Sequence, residues 1–258
     1  MAKEQSDLLA PRLSATMIIV RAASAAAAGE VLAITRSKQL RVLPGFMVFP
    51  GGVLDPLDID VASSLQQAMR DSTPSLFTMQ EADFKGKIVS RDLLYWSLFV
   101  AGVRELFEET GIYMGAPRKS WTELQEIRQA LLQGQGSEWK KTVITESSFY
   151  PFRYVGRRVT PIQVKHRFDT HYFIVQAPHD IAVYPSSDEV ESVLWSAPDE
   201  LLTRFGQDEF HMAPPTVDAL TALSRHASLA DLMANAVMAE QRNDDARINH
   251  FLSQLSAN

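Results

Sequence analysis

The chain contains no cysteine, which excludes a disulfide framework, a zinc–thiolate site and a cysteine nucleophile. Long apolar runs are also missing. The longest, residues 93–103, is interrupted by Ser97 and Gly102 and reaches only about half the length that a membrane-spanning helix needs. Nor is there an excess of positive charge. A net charge of −6 argues against a protein that coats nucleic acid, although a local basic patch can still hold a phosphorylated ligand inside an acidic molecule. Residues 1–12 carry Lys3, Glu4, Asp7 and Arg12 without an apolar stretch, and the last three residues are not a peroxisomal address. The expectation is a cytoplasmic protein with neither a membrane nor a nucleic acid as partner.

What remains is ordinary for a globular protein: 258 residues, 46% of them hydrophobic and 22% charged. That length suffices for one domain with elaborations, expected over residues 12–258 behind a tail at 1–11. Residues 16–21 and 31–36 are β-branched runs that read as strands, joined by a small-residue linker at 22–29. Residues 61–90 mix polar and charged residues with isolated apolar ones. Leu65, Ala68 and Met69 suggest a short helix there, broken at Pro74, and Ser90-Arg91-Asp92 can cap the helix that follows. An amphipathic helix is expected over residues 121–132, and a strand around residues 165–175. The tail reads as helices at 229–240 and 248–255, which fit either core cover or a homodimer face.

The chemistry concentrates in Arg104-Glu105-Leu106-Phe107-Glu108-Glu109-Thr110-Gly111-Ile112. At about 100° per residue, Glu105, Glu108 and Glu109 fall within roughly 100° of arc, while Trp96, Phe99, Val103, Leu106 and Phe107 gather on the other flank. The acids are thus expected to point away from the core. Like charges three and four residues apart repel, so the cluster is either a solvated acidic face or a site for a hard, oxygen-seeking divalent ion. Upstream, Arg36, Lys38 and Arg41 place three cations within six residues of one another. They form either a solvated loop or a phosphate contact. Between residues 153 and 171 lie five cations and two histidines against one acid, with aromatics interleaved. His166 and His171, five apart on a strand, would face opposite ways and so form no metal pair.

The nine residues 104–112 match the second half of the Nudix box, and Phe49-Pro50-Gly51-Gly52 resembles its glycine-bearing first half. Gly52 and Arg104 lie 52 positions apart, against 14 in an uninterrupted box, so 38 additional residues separate the halves. The insert is expected at about 59–90, as a wall or lid over the site or as a surface excursion. Asp58 stands six residues after Gly52, where the pattern has a glutamate; the alternative is that this carboxylate comes from elsewhere in the chain. Residues 32–52 further resemble the signature of coenzyme A diphosphatases through Arg36, Ser37, Leu40, Arg41, Gly45 and Phe49 to Gly52, with Leu43 where that signature often has a histidine. The acidic turn at 188–191, the strand reaching Trp195 and the helix from Pro198 are similar to the end of a Nudix domain.

This resemblance implies an α/β fold: a Nudix-type α/β/α sandwich with a mixed sheet, an insert within the box and a helical C-terminal extension at about 206–258. It implies a hydrolase of a small nucleoside diphosphate derivative, with Mg²⁺ or Mn²⁺ held by Glu105, Glu108, Glu109 and the Gly52 carbonyl. Arg104 would orient a carboxylate, and Glu189 or Glu191 would supply a water-activating base or a further metal contact. Arg36, Arg41, Gly51, Gly52 and Arg167 would contact substrate, with Arg157 and Arg158 in reserve. Coenzyme A or acyl-CoA is the leading substrate. ADP-ribose or a dinucleotide is the rival, and a nucleotide-binding module without hydrolysis is a different class again.

Overall fold

The computed structural model describes residues 10–23, 28–68, 81–115, 119–145, 148–186, 188–238 and 245–257. In chain order they form β1 (Arg12–Arg21), β2 (Glu30–Arg36), β3 (Met47–Val48), β4 (Gly51–Val53), α1 (Pro56–Ala68), the hairpin β5 (Ala82–Phe84) and β6 (Lys87–Val89), and α2 (Arg91–Thr110). Next come α3 (Trp121–Leu132), α4 (Ser137–Thr145), β7 (Phe152–Val159), β8 (Phe168–Gln176), β9 (Val190–Ser196), α5 (Pro198–Gly206), α6 (Pro214–Leu223), α7 (Leu229–Asn235) and α8 (Asp245–Ala257).

The main sheet runs β3-β2-β1-β8-β7, with β4 added to β1 and β9 to β2. β1 and β8 are parallel over nine residue pairs, and the other pairings are antiparallel. A sheet covered on both faces needs strands that are apolar on both sides, and β1 supplies one. Its Ala15, Met17 and Ile19 join the core beneath α2, while Ile18 and Val20 join the core beneath α6 and α7. β8 repeats the alternation with Phe173 and Val175 on one side and Tyr172 and Ile174 on the other. The result is the α/β/α sandwich with a mixed sheet that the sequence leads one to expect.

Several local expectations are corrected. α1 begins at Pro56, earlier than Leu65 suggested, and it buries Val61, Ala62 and Leu65 with the α2 core. The described start of the insert, residues 59–68, is therefore packed into the core; Met69 and Pro74 lie outside the described residues. Ser90 occupies the N-cap position of α2 without a side-chain cap bond. By contrast, α3 has a full capping box, with Ser120 Oγ accepting from the Glu123 N–H and Glu123 accepting from the Ser120 N–H. Lys165, His166 and Arg167 belong to a loop, since β8 starts only at Phe168. α7 ends at Asn235 and does not run on towards Glu240. The Arg153 guanidinium takes the carbonyls of Met233 and Ala236, and Met238 then donates its N–H to Val155 O at 2.8 Å, drawing the chain alongside β7.

Candidate active site

α2 is buried almost all round because the sheet lies beneath it and α1, α3 and α4 flank it. Gly102 allows the close approach: a Cβ there would come within 2.5 Å of Met17 Sδ. The helix stops at Gly111, whose φ of 72° suits glycine, and the Gly111 N–H returns to Phe107 O. Its last carbonyls are then satisfied by the loop that leads to Glu189. Tyr184 N–H donates to Thr110 O at 2.7 Å and Ser186 N–H to Glu109 O at 2.8 Å.

This loop and β4 close over the acids, which do not point into solvent as the helical projection suggests. The side chains of Glu105, Glu108 and Glu109 are only 17%, 14% and 3% exposed. Glu109 accepts the Gly51 N–H at 2.9 Å and lies 3.5 Å from the Arg36 guanidinium. Any side chain at Gly52 would run into the Glu105 carboxylate, 2.2 Å from where its Cβ would stand. Gly52 is thus required by the Glu105 carboxylate, and Gly51 by the β1 backbone, since a Cβ there would stand 2.3 Å from Ala15 O.

Arg104 is the hub. Its Nε and Nη2 fork onto Asp58 at 2.8 and 3.1 Å, Nη2 also donates to Val53 O, and Nη1 reaches Glu105 at 2.9 Å and Glu108 at 3.0 Å. Asp58 is completely buried and also accepts the Asp55 N–H. Asp58, one of the two sources left open for the displaced carboxylate, thus stands against Arg104. The 38-residue displacement is absorbed because α1 follows β4 directly and returns its first turn to Arg104. Sequence reasoning missed Arg128, a buried arginine whose Nε and Nη2 hold the Glu108 carbonyl. The available signal was its place on the apolar face of α3, between Leu124 and Leu131.

Burial raises the pKa of all three glutamates. It is the leading cause in each case, and Arg104 opposes it at Glu105 and Glu108. Glu109 is pushed well above the usual range by burial and then by Glu105, with Arg36 and the Gly51 N–H opposing. Glu108 is pushed up to about 7. Glu189 adds repulsion at all three positions, whereas Glu191 is exposed. Five carboxylates therefore face the guanidiniums of Arg104, Arg36 and Arg128, an excess of negative charge in a nearly dry space.

That excess, with oxygen the only donor type, suits a hard divalent cation. Glu105 and Glu108 each give one oxygen to Arg104, which leaves the other for an ion. As the side chains stand, no three of them among the described residues enclose an ion.

These shifts fix a pH dependence. A carboxyl whose folded pKa exceeds its unfolded value of 4.5 binds more protons in the native state, so its favourable contribution is complete below 4.5 and is lost as pH rises through the folded value. In EDTA, the melting temperature is expected to fall between pH 5 and pH 8, with Glu108 contributing on the order of 3 kcal/mol. Glu108→Gln should flatten the curve in thermal denaturation; a wild-type melting temperature that rises over this range would contradict the assignment.

The other candidates are dispersed. Arg36 is committed to Glu109 and, through Nε, to Val42 O at 3.1 Å. Arg41 is exposed and has no ion-pair partner among the described residues. Arg167 donates to Thr160 O and lies four residues before His171. His171 is level with Ala15 and Gly52 across the sheet, which puts Arg167 roughly 13 Å along the strand from the glycines. Arg157 forks onto Asp169 on the α2 face, and Arg158 is buried beside Asp218 on the other. His171 is buried between Tyr154 and Asp169, and desolvation drives its pKa down to about 4, which keeps it neutral.

Comparison with known proteins agrees with this geometry. Residues 9–223 match the family model described as the NUDT19 Nudix domain. The chain is 24% identical over 250 residues to the acyl-coenzyme A diphosphatase NUDT19 of Gallus gallus, covering 79% of this chain and 63% of that protein. It is 27% identical over 238 residues to that of Homo sapiens, covering 79% and 62%. The chain thus spans less than two thirds of either relative. A NUDIX hydrolase structure from Alicyclobacillus acidocaldarius superposes with a TM-score of 0.68 at 24% identity, covering 90% of this chain and 99% of that one, which shows the shared fold. The chain belongs to the NUDT19 Nudix domain family.

Proposed function

We propose that the chain is a metal-dependent diphosphatase that cleaves coenzyme A or acyl-CoA into 4′-phosphopantetheine, or its acyl form, and adenosine 3′,5′-bisphosphate. The observation that carries the reading is the buried carboxylate set held between Gly51-Gly52 and the Arg104–Asp58 fork. A non-catalytic nucleotide binder has no need of such a set. The names of the chicken and human relatives supply the substrate class. Glu105, Glu108 and Glu109, with the Gly52 carbonyl, would hold Mg²⁺ or Mn²⁺; such an ion neutralises a diphosphate and acidifies water. The chain's own residues do the rest. Arg104 fixes Glu105 and Glu108, the Gly51 N–H and Arg36 fix Glu109, and Glu189 accepts the proton of the attacking water as one P–O bond forms and the bridging P–O bond breaks. A cytoplasmic location belongs to the same reading; among the described residues no helix is long and apolar enough to cross a membrane.

With Arg36 committed to Glu109, Arg41 is the leading candidate to read the 3′-phosphate. Loss of one charge-assisted hydrogen bond costs about 1.5–3 kcal/mol, so Arg41→Ala is expected to lower kcat/KM for coenzyme A by roughly one to two orders of magnitude. Dephospho-coenzyme A, which lacks that phosphate, should be much less affected. The reading as a whole is tested by kcat/KM for coenzyme A, dephospho-coenzyme A, ADP-ribose and a dinucleoside polyphosphate. A preference for ADP-ribose or the dinucleotide would leave a diphosphatase but remove the coenzyme A assignment.

A further inference from the structure

Helix α8 lies beyond the residues that match the family model, yet it completes a small apolar cluster at the edge of the site. The ring of Phe251 meets Phe46 edge-on at 5.9 Å, and both are buried with Val164 and Ala213. Two basic loops meet there. Phe46 ends the loop that carries Lys38 and Arg41, and its carbonyl accepts the Arg36 N–H at 2.9 Å. Val164 immediately precedes Lys165, His166 and Arg167. The first loop is strained: Leu43 sits at φ 52° in the left-handed region that a branched side chain rarely adopts, and its side chain packs against the same cluster. Such a conformation persists only where surrounding packing imposes it, and Phe251 is part of that packing.

We propose that α8, through Phe251, holds the Arg41 loop in this conformation, which makes Phe251 a positioning residue for recognition of the substrate's 3′-phosphate. The recognition half rests on the coenzyme A reading above; the loop-holding half does not. Arg247 ties α8 to Asp218 on α6 at 2.8 Å, which keeps the helix docked when a single ring is removed.

The test uses the full chain with Phe251→Ala and the conservative Phe251→Leu. Hydrogen exchange without substrate is expected to speed up at the Arg36, Gly45 and Phe46 amides, whose bonds to Phe46 O, Arg36 O and Leu43 O close the loop, and to stay unchanged in β1. In kinetics, Phe251→Ala should raise KM for coenzyme A by roughly tenfold and leave kcat and the KM for dephospho-coenzyme A within about a factor of two, with Phe251→Leu close to wild type. A uniform loss for both substrates, or unchanged exchange in the loop, overturns the proposal. If wild type does not distinguish the two substrates, faster loop exchange in Phe251→Ala still upholds the loop-holding half. In that case it is the coenzyme A reading that has failed, and the recognition half with it.

Discussion

Glu109→Gln is expected to reduce turnover by about three orders of magnitude at saturating Mg²⁺, equivalent to roughly 4 kcal/mol of lost transition-state stabilisation, without loss of the fold. The amide keeps an oxygen to accept the Gly51 N–H, so the backbone contact that seats the side chain survives. What disappears is one charge from the set that an ion needs. Because burial and Glu105 disfavour the carboxylate at this position, its removal should leave stability equal to wild type or slightly higher. Glu108→Gln should behave alike, for the same reason and with a half-empty partner list: it loses charge but keeps an oxygen for Arg104. Full turnover of either variant, measured beside an unchanged circular dichroism spectrum, would deny the acids a role in turnover.

The second large effect concerns stability. Asp58→Ala is expected to cost about 3–5 kcal/mol, because it leaves the buried Arg104 guanidinium without the partner that takes both its Nε and Nη2. It also strips the Asp55 N–H of its acceptor. Asp58→Asn, which keeps the oxygen but not the charge, should fall between the two. Combining Asp58→Ala with Arg104→Met should recover part of the loss, since the penalty comes chiefly from an uncompensated buried charge. Urea denaturation of wild type, Asp58→Ala, Asp58→Asn, Arg104→Met and the double variant decides the matter. Additive losses in the double variant would mean that the two residues are not a pair.

The parts of this molecule that were legible in the sequence are those whose cause is local. The helix of residues 104–112, the glycine at 111 that ends it and the amphipathic helix at 121–132 all depend on neighbours within one or two turns. The strand at 16–21 was legible as a β-branched run for the same reason. What the sequence did not disclose depends on partners far along the chain. Burial of the acids comes from β4 and from the loop at 184–186, about 50 to 80 positions away, and no helical wheel contains that information. Asp58 could be counted to its place but not given a partner until α1 was seen to start at Pro56. α4 was missed because nine residues are too few to declare a helix by periodicity, although Trp139 and Val143 both fall in its buried face. The meeting of the two basic loops at Phe46, Val164 and Phe251 joins three segments with no local signature at all.

Whether this buried carboxylate set serves the proposed metal-dependent cleavage of a coenzyme A diphosphate is decided by the masses of the products. Purified protein is incubated with coenzyme A and Mg²⁺ or Mn²⁺, in parallel with EDTA and with Glu109→Gln, and the products are weighed. The expected result is 4′-phosphopantetheine and adenosine 3′,5′-bisphosphate in equal amounts with the metal, and neither product in EDTA or from the variant. Intact coenzyme A beside cleaved ADP-ribose, or cleavage that continues in EDTA, would contradict it.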